Sequence, residues 1–249
     1  MYSRVIALAL CFLATASLAG TNNGSAPHSS LTTWSRSARP LPYAASSDPT
    51  LRNARIPSPN GKYEITCNSE AHEQTVSASV SEKLDLPTCE FVGRGKPLKI
   101  DLAVGPEALW APDSDAVAIT HSKGGALGTY QVLIYRPEDT HAVDISSAAR
   151  NDLARHYPAC VGPQAGCTTA QRKQMRRDAD WVNVAAIRWM EGSQRLLMMA
   201  WVPDSSDFGA NLGRHMGYVV NARTGQILAR YSEREFTRRF KKDCGDWGL

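Results

Sequence analysis

Apolar and polar positions follow a recurring order along residues 110–146. Three short apolar runs, at 116–120, 130–135 and 141–145, are separated by a glycine-rich loop and by a turn at 136–139. Runs of β-branched and aromatic residues between Gly, Pro and Asp are typical of antiparallel strands joined by turns. The stretch therefore predicts one antiparallel β-meander.

The same order occurs in two further parts of the chain, at 58–102 and at 187–229. Each copy has a turn, an apolar strand, a long polar loop, a second strand, a tight turn and a third strand. The turns of the first two copies lie 53 residues apart, whereas Trp110 and Trp189 lie 79 apart. The repetition predicts three equivalent units, with one insertion between the second and the third.

This insertion, residues 147–181, has a helical composition. Ala148–Tyr157 and Thr169–Trp181 are rich in helix-forming residues, and Thr168 with Gln171 forms a capping box at the start of the second segment. The insertion therefore predicts two short helices joined by a loop rich in Gly and Pro.

A C-terminal helix is predicted over residues 232–242. Ser232 and Glu235 form a capping box, and Phe236 and Phe240 lie four positions apart on one face. The basic residues near the end of this helix complement the helix dipole, which is the simpler interpretation. Contact with an anionic membrane surface or an acidic partner is the functional alternative.

The first 20 residues resemble a secretory signal peptide, with a basic start, an apolar centre and a small-residue cleavage site. No other apolar run approaches the ~18 residues that a membrane-spanning helix needs. We expect a periplasmic or secreted protein without a transmembrane segment. Residues 21–57 are rich in Ser, Ala, Thr, Asn and Pro, which predicts a low-complexity tether. In the alternative interpretation, part of this segment adds an edge strand to the domain at 58–249.

Five cysteines remain after removal of the signal peptide: Cys67, Cys89, Cys160, Cys167 and Cys244. An exported chain with five cysteines is expected to form two disulfides, for which roughly 15 pairing patterns exist. Short separation in sequence favours the pairs Cys67–Cys89 and Cys160–Cys167. Cys244 would then be free, buried or paired with another molecule.

Two turns and the strands beside them resemble the repeat of TolB-type β-propellers. Trp110–Ser114 precedes the apolar runs Val117–Thr120 and Val132–Tyr135, while Ser58–Lys62 and Arg223–Gly225 match the turns of that repeat in the other copies. The same repeat is found in the propeller domains of prolyl oligopeptidase-like peptidases, whose catalytic residues lie in a separate domain.

The resemblance implies a mainly β fold of propeller-like antiparallel meanders with three blade-like repeats. The helical insertion and the C-terminal helix would be added to this array. Propellers typically have four to eight blades. Either degenerate strands complete a fourth blade, or the three sheets pack as an open array.

Sequence signatures of catalysis are missing. The chain has no Gly-x-Ser-x-Gly, His-Glu-x-x-His, Cys-x-x-Cys or Walker motif, so an enzyme is the less favoured class and no catalytic residue or cofactor is predicted. Removal of the one arginine in the signal segment lowers the formal net charge from +4 to +3. This charge is too small to indicate a nucleic-acid partner.

Polar and charged residues concentrate in the long loops, which emerge on one face if the copies are equivalent. Because loops carry recognition more often than cores, we predict a binding face there. Its candidate residues are His121, Lys123, Asp204, Asp207, Arg214 and His215. Metal binding by Asp204, Asp207 and His215 is a weaker alternative, because their spacing matches no known type of metal loop, and no metal site is predicted.

These features favour an exported, non-enzymatic protein-binding module of the cell envelope, with an envelope or secreted protein as its partner. The first alternative is a secreted hydrolase or carbohydrate-active protein, whose site would be built from residues far apart in sequence. The second is an inhibitor or immunity-type protein that blocks an enzyme with a protruding loop, such as 160–167.

Overall fold

Antiparallel β-sheets form most of the described part of the chain. The computed structural model describes residues 33–42, 53–77, 80–100, 104–122, 129–157, 179–203 and 211–246. Within these ranges the strands form three antiparallel sheets of four or five strands, accompanied by two α-helices. The mainly β fold that the sequence predicts is confirmed.

The strands follow one another in meanders. In chain order they are β1 Arg39–Pro40, β2 Arg55–Pro57, β3 Glu64–Ser77, β4 Val80–Val92, β5 Leu98–Ile100, β6 Val104–Trp110, β7 Val117–Ser122, β8 Tyr130–Tyr135, β9 Val143–Asp144, β10 Asn183–Met190, β11 Arg195–Trp201, β12 His215–Asn221 and β13 Ile227–Tyr231. The first sheet has the order β2-β3-β4-β5, the second β1-β6-β7-β8-β9 and the third β10-β11-β12-β13. The helices are α1 Ser147–His156 and α2 Glu233–Phe240.

The second sheet is buried on both faces. On one face its Ile119 and Tyr135 share an apolar cluster with Phe91 of the first sheet. On the other face its Ile134 shares a cluster with Met198 of the third sheet. Every residue of β7 is buried as a result, and the three sheets stack face to face in chain order.

Both helices pack against the third sheet. Leu153 of α1 joins the cluster between the second and third sheets. Phe236 and Phe240 of α2 join Leu197 and Val219 on the opposite face of the third sheet. The spacing of the two phenylalanines therefore places α2 over an apolar sheet face that would otherwise be open to water.

Equivalent turns of neighbouring sheets are joined by hydrogen bonds. The Asn60 amide, in the turn before β3, donates to Ser114 Oγ, in the turn before β7, at 3.0 Å. The Ser193 amide, in the turn before β11, donates to Asp113 Oδ2 at 2.7 Å. Gly61 and Ser114 have φ values of +70° and +67°, so the two matching turn sequences also share a left-handed backbone position.

Residues 33–42 correct the prediction of a tether that spans 21–57. Trp34 and Leu41 are buried, and β1 pairs with β6 at the edge of the second sheet. These two large apolar side chains bury surface that the small polar residues around them cannot provide. This part of the segment therefore follows the alternative of an added edge strand.

The N-terminal segment is also bonded to the C-terminal part of the chain. Ser35 and Cys244 form an isolated antiparallel bridge, and the Gly245 amide donates to the Trp34 carbonyl at 2.8 Å. A Cβ at position 245 would collide with the Thr33 carbonyl. Glycine is therefore required where the two segments meet.

The structure confirms several local predictions. α1 covers most of the segment 148–157, and the Ser232–Glu235 capping box is formed at the start of α2. Cys67 and Cys89 form a disulfide between β3 and β4, while Cys244 is a buried thiol. Three predictions lie outside the described residues: the signal segment at 1–20, the pair Cys160–Cys167 and most of the second insertion helix. The described end of that second helix is a 3-10 turn at 179–181.

We expect Asp113→Ala to lower the free energy of unfolding by about 1–2 kcal/mol, because the Ser193 amide loses a charged acceptor. Urea denaturation measures this change. Asp115→Ala is the control: this exposed neighbour supplies only backbone groups to the hydrogen bonds of the turn, and we expect a change below about 0.5 kcal/mol. Equal losses in both variants would contradict a specific role for Asp113.

We expect the double variant Cys67→Ala, Cys89→Ala to be less stable than the wild type by about 3 kcal/mol, because the disulfide closes a separation of 22 residues and restricts the unfolded chain. Urea denaturation under oxidising conditions measures the difference. An unchanged midpoint and slope would show that the pair does not constrain the protein in solution.

Candidate functional site

The two ends of the sheet stack differ in how the chain connects its strands. The connections β2–β3 and β4–β5 of the first sheet, β6–β7 and β8–β9 of the second, and β10–β11 and β12–β13 of the third lie at one end, which we call the turn end. The connections β3–β4, β7–β8 and β11–β12 lie at the opposite end, which we call the loop end. The candidate binding loops of the sequence all belong to the loop end.

Several polar side chains at the turn end form hydrogen bonds or ion pairs with other groups of the protein. The Arg136 guanidinium donates to the Ser193 carbonyl at 2.9 Å and is buried between the second and third sheets. Arg223 pairs with Glu138 at 3.0 Å, and Arg94 Nε donates to the Tyr63 hydroxyl at 2.9 Å. At the turn end Arg136 and Arg223 thus join the second sheet to the third, while Arg94 acts within the first sheet.

The loop end presents a different surface around the base of the β11–β12 connection. Leu212 keeps 41% of its surface exposed, and Trp201 is half-buried at the end of β11. The Val202 amide donates to the Arg214 carbonyl at 2.8 Å, which extends the β11–β12 pairing beyond the strands. The exposed Arg214 side chain pairs with Glu233 of α2 at 3.1 Å. Trp201, Leu212 and Arg214 thus lie at the base of one connection, whose backbone is held by hydrogen bonds.

Three aromatic rings support this region from inside. Trp34 stacks on Trp201 with ring centroids 4.0 Å apart, and Tyr130 lies 5.4 Å from Trp34 and 5.8 Å from Trp201. These rings come from the N-terminal segment, the second sheet and the third sheet. Because aromatic clusters of this kind are rigid, they fix the position of the neighbouring loop base.

A buried carboxyl group lies beside the aromatic cluster. Glu107 Oε2 accepts a hydrogen bond from the Trp34 amide at 2.8 Å, while Oε1 has no partner among the described residues. Burial raises the pKa of Glu107 to about 8, although its hydrogen bonds from the backbone of Trp34 and Ser35 act in the opposite direction. At neutral pH the carboxyl group is therefore mainly protonated.

His121 lies inside the stack, away from the protein surface. Its ring is fully buried, and Nε2 lies 2.8 Å from Gln131 Nε2 on the neighbouring strand. This placement gives His121 a role in packing and hydrogen bonding. The sequence placed His121 beside a loop, but it could not show that its side chain points into the stack.

His215 and Arg214 meet at the start of α2. The His215 ring packs against Phe236, with centroids 5.9 Å apart, and Nε2 lies 3.3 Å from Thr237 Oγ1. Burial lowers the pKa of His215, so the neutral ring is favoured. Of the predicted binding residues with a described position, Arg214 is the one whose side chain is exposed at the loop end.

Three predicted binding residues, Lys123, Asp204 and Asp207, lie outside the described residues. Among the residues that are described, no group of three or more His, Cys, Asp or Glu side chains could hold a metal ion. The described helices include none with the length and apolar character needed to cross a membrane.

Sequence reasoning missed Trp34, Glu107 and Leu212. A tryptophan within a low-complexity segment and a glutamate within the otherwise weakly polar strand Val104–Trp110 are both unusual enough to have signalled buried roles. Leu212 carries no such signal, because exposure of a single leucine depends on how the surrounding loop folds.

Comparison with known proteins adds no family: no protein-family model matches this chain, and no curated protein matches it. Function must therefore be inferred from the geometry of the described residues.

We expect the wild type to lose stability as pH rises from about 4.5 towards 8, because the folded protein keeps the Glu107 proton over a range in which the unfolded chain releases it. Below this window the contribution is fully present. The slope reaches at most about 1.4 kcal/mol per pH unit. Urea denaturation of Glu107→Gln at pH 5 and pH 8 should show a flatter dependence.

The exposed Glu90 offers a matched control, because Glu90→Gln makes the same chemical change on a solvated strand face. We expect this variant to keep the pH dependence of the wild type. If Glu107→Gln also kept it, the buried carboxyl group would not be its source.

Proposed function

We propose that this chain is an exported, non-enzymatic binding module whose loop end contacts a protein of the cell envelope or a secreted protein. The observation that carries the proposal is the group of residues at the base of the β11–β12 connection, where paired backbone brings the half-buried Trp201 near the exposed Leu212 and Arg214. Tryptophan and arginine are enriched among the residues that contribute most to protein interfaces. The exposed Leu212 side chain adds apolar surface that a partner can bury.

The support of this group favours a protein partner. Trp201 is held by Trp34 and Tyr130, and Arg214 is held by Glu233. Side chains fixed before binding lose little conformational freedom on binding, so more of the contact energy becomes affinity. At the opposite, turn end, Arg136 and Arg223 bind groups of the neighbouring sheet instead.

We further propose that the three sheets are blades of an open, propeller-like array. Their meander order, their face-to-face stacking in chain order and the hydrogen bonds between equivalent turns support this interpretation. The outer face of the first sheet carries the exposed residues Glu90 and Lys99, while α2 covers the outer face of the third sheet. The two outer faces of the stack are thus shielded, one by charged side chains and the other by α2, without a fourth sheet.

Export is supported by two features of different kinds. The first 20 residues have the pattern of a signal peptide, and Cys67 and Cys89 form a disulfide. Disulfides of this kind persist in oxidising compartments such as the periplasm and the extracellular space.

We expect a photoreactive phenylalanine analogue at position 212 to form a discrete crosslinked species with a partner protein in cells that export this chain. The matched control is the same substitution at Leu228, which is similarly exposed at 45% but lies near the turn end on the edge strand β13. Mass spectrometry of the crosslinked bands identifies the partner at each position.

A partner captured from position 212 and absent from position 228 would support the proposal. Leu212→Arg should then weaken binding of the purified partner by tenfold or more, whereas Leu228→Arg should leave the affinity within twofold. Crosslinking from position 228 alone, or the same products from both positions, would overturn the assignment of the loop end.

A further inference from the structure

A concave cationic surface lies at the C-terminal end of α2. A cleft of about 680 Å³ is bounded by five cationic side chains, from Arg36, Arg238, Arg239, Lys241 and Lys242. Among the described residues of its lining, Asp246 is the one that carries a carboxylate. The cleft is separate from the proposed binding group, because Arg214 contacts Glu233 at the other end of this helix.

Backbone contacts between distant segments build the cleft. The Arg36 amide donates to the Asp243 carbonyl at 3.0 Å, next to the bridge between Ser35 and Cys244. Phe240 and Cys244 are buried beneath this junction. Cations from the N-terminal segment and from the end of α2 therefore line the same cleft.

Most of these cations have no ion-pair partner in the described part of the chain. Arg36, Arg238, Lys241 and Lys242 form no ion pair with a carboxylate of the described residues, and Arg239 lies over the Tyr231 ring at 5.2 Å. The nearby Asp243 carboxylate is bound to Arg188 at 3.2 Å instead. The concentration of like charge raises the local positive potential, which a concave surface focuses further.

The helix dipole explains only part of this arrangement. Cations in the last turn of a helix are stabilised by its partial negative charge, which accounts for Arg238 and Arg239. Arg36 belongs to a segment that is not helical and reaches the cleft through the pairing with residues 243–245. The N-terminal segment thus adds the positive charge of Arg36 to the end of the helix that already carries Arg238 and Arg239.

We propose that this cleft binds a compact polyanion that carries two or more phosphate groups. Its volume lies within the roughly 300–1,000 Å³ range of small-molecule sites. Arginine recognises phosphate oxygens with two parallel hydrogen bonds, and lysine adds point charge beside them. A concave site with both residue types suits clustered phosphates better than it suits carboxylates spread along an acidic polypeptide.

Isothermal titration of the exported protein with sodium tripolyphosphate at low salt tests the proposal. We expect saturable one-to-one binding that weakens as salt increases. The double variant Arg36→Gln, Lys242→Gln should reduce the affinity by at least tenfold. The control Lys96→Gln, Arg234→Gln removes the same charges from exposed positions outside the cleft and should change the affinity by less than twofold.

Equal losses in both double variants, absence of saturable binding, or equally tight binding of polyglutamate would overturn the proposal. Vesicles of phosphatidylcholine with or without phosphatidic acid distinguish the source of the phosphate. Cleft-dependent binding to phosphatidic acid vesicles, in competition with tripolyphosphate, assigns the groups to a lipid surface. Tripolyphosphate binding without vesicle binding assigns them to a soluble ligand.

Discussion

Burial of the second sheet on both faces is the constraint on which the structure depends. Every residue of β7 is inaccessible to water, so polar groups on this strand can form hydrogen bonds only with other groups of the protein. Thr120 Oγ1 accepts the Ala186 amide of the third sheet at 3.0 Å, and His121 is bonded to Gln131. Glu107 uses the Trp34 amide, which ties the N-terminal segment to the stack. Burial of the second sheet thus accounts both for these hydrogen bonds between sheets and for the placement of the N-terminal segment.

The sequence was most informative where structure is set by neighbouring residues. The three meanders, the Ser232 capping box and the Cys67–Cys89 pair all follow from local period, turn chemistry and short separation. The N-terminal segment was assigned to a tether because its composition is polar. Trp34 and Leu41 are held by partners far along the chain, and no local pattern reveals such contacts.

At the candidate sites, too, the sequence shows the local elements but not the contacts between distant residues. Proximity of Arg214 to a long loop was evident from the meander pattern, but its pairing with Glu233 and the exposure of Leu212 depend on tertiary structure. A basic end of α2 was also evident from the sequence. The sequence does not show that Arg36 lies beside this basic end, because the bridge between Ser35 and Cys244 brings the two segments together. Sequence patterns thus located the relevant elements, whereas long-range contacts decided which side chains meet.

The pairing of the N-terminal segment with residues 243–245 joins two parts of the chain that lie far apart in sequence. The Gly245 amide, which donates to the Trp34 carbonyl, is synthesised roughly 210 residues after Trp34, so this contact closes one of the longest loops in the chain. Trp34 can meet Glu107, Tyr130 and Trp201 before this contact forms, because these residues are synthesised earlier. The contact between the N-terminal segment and residues 243–245, by contrast, becomes possible only after the strands of all three sheets have been synthesised.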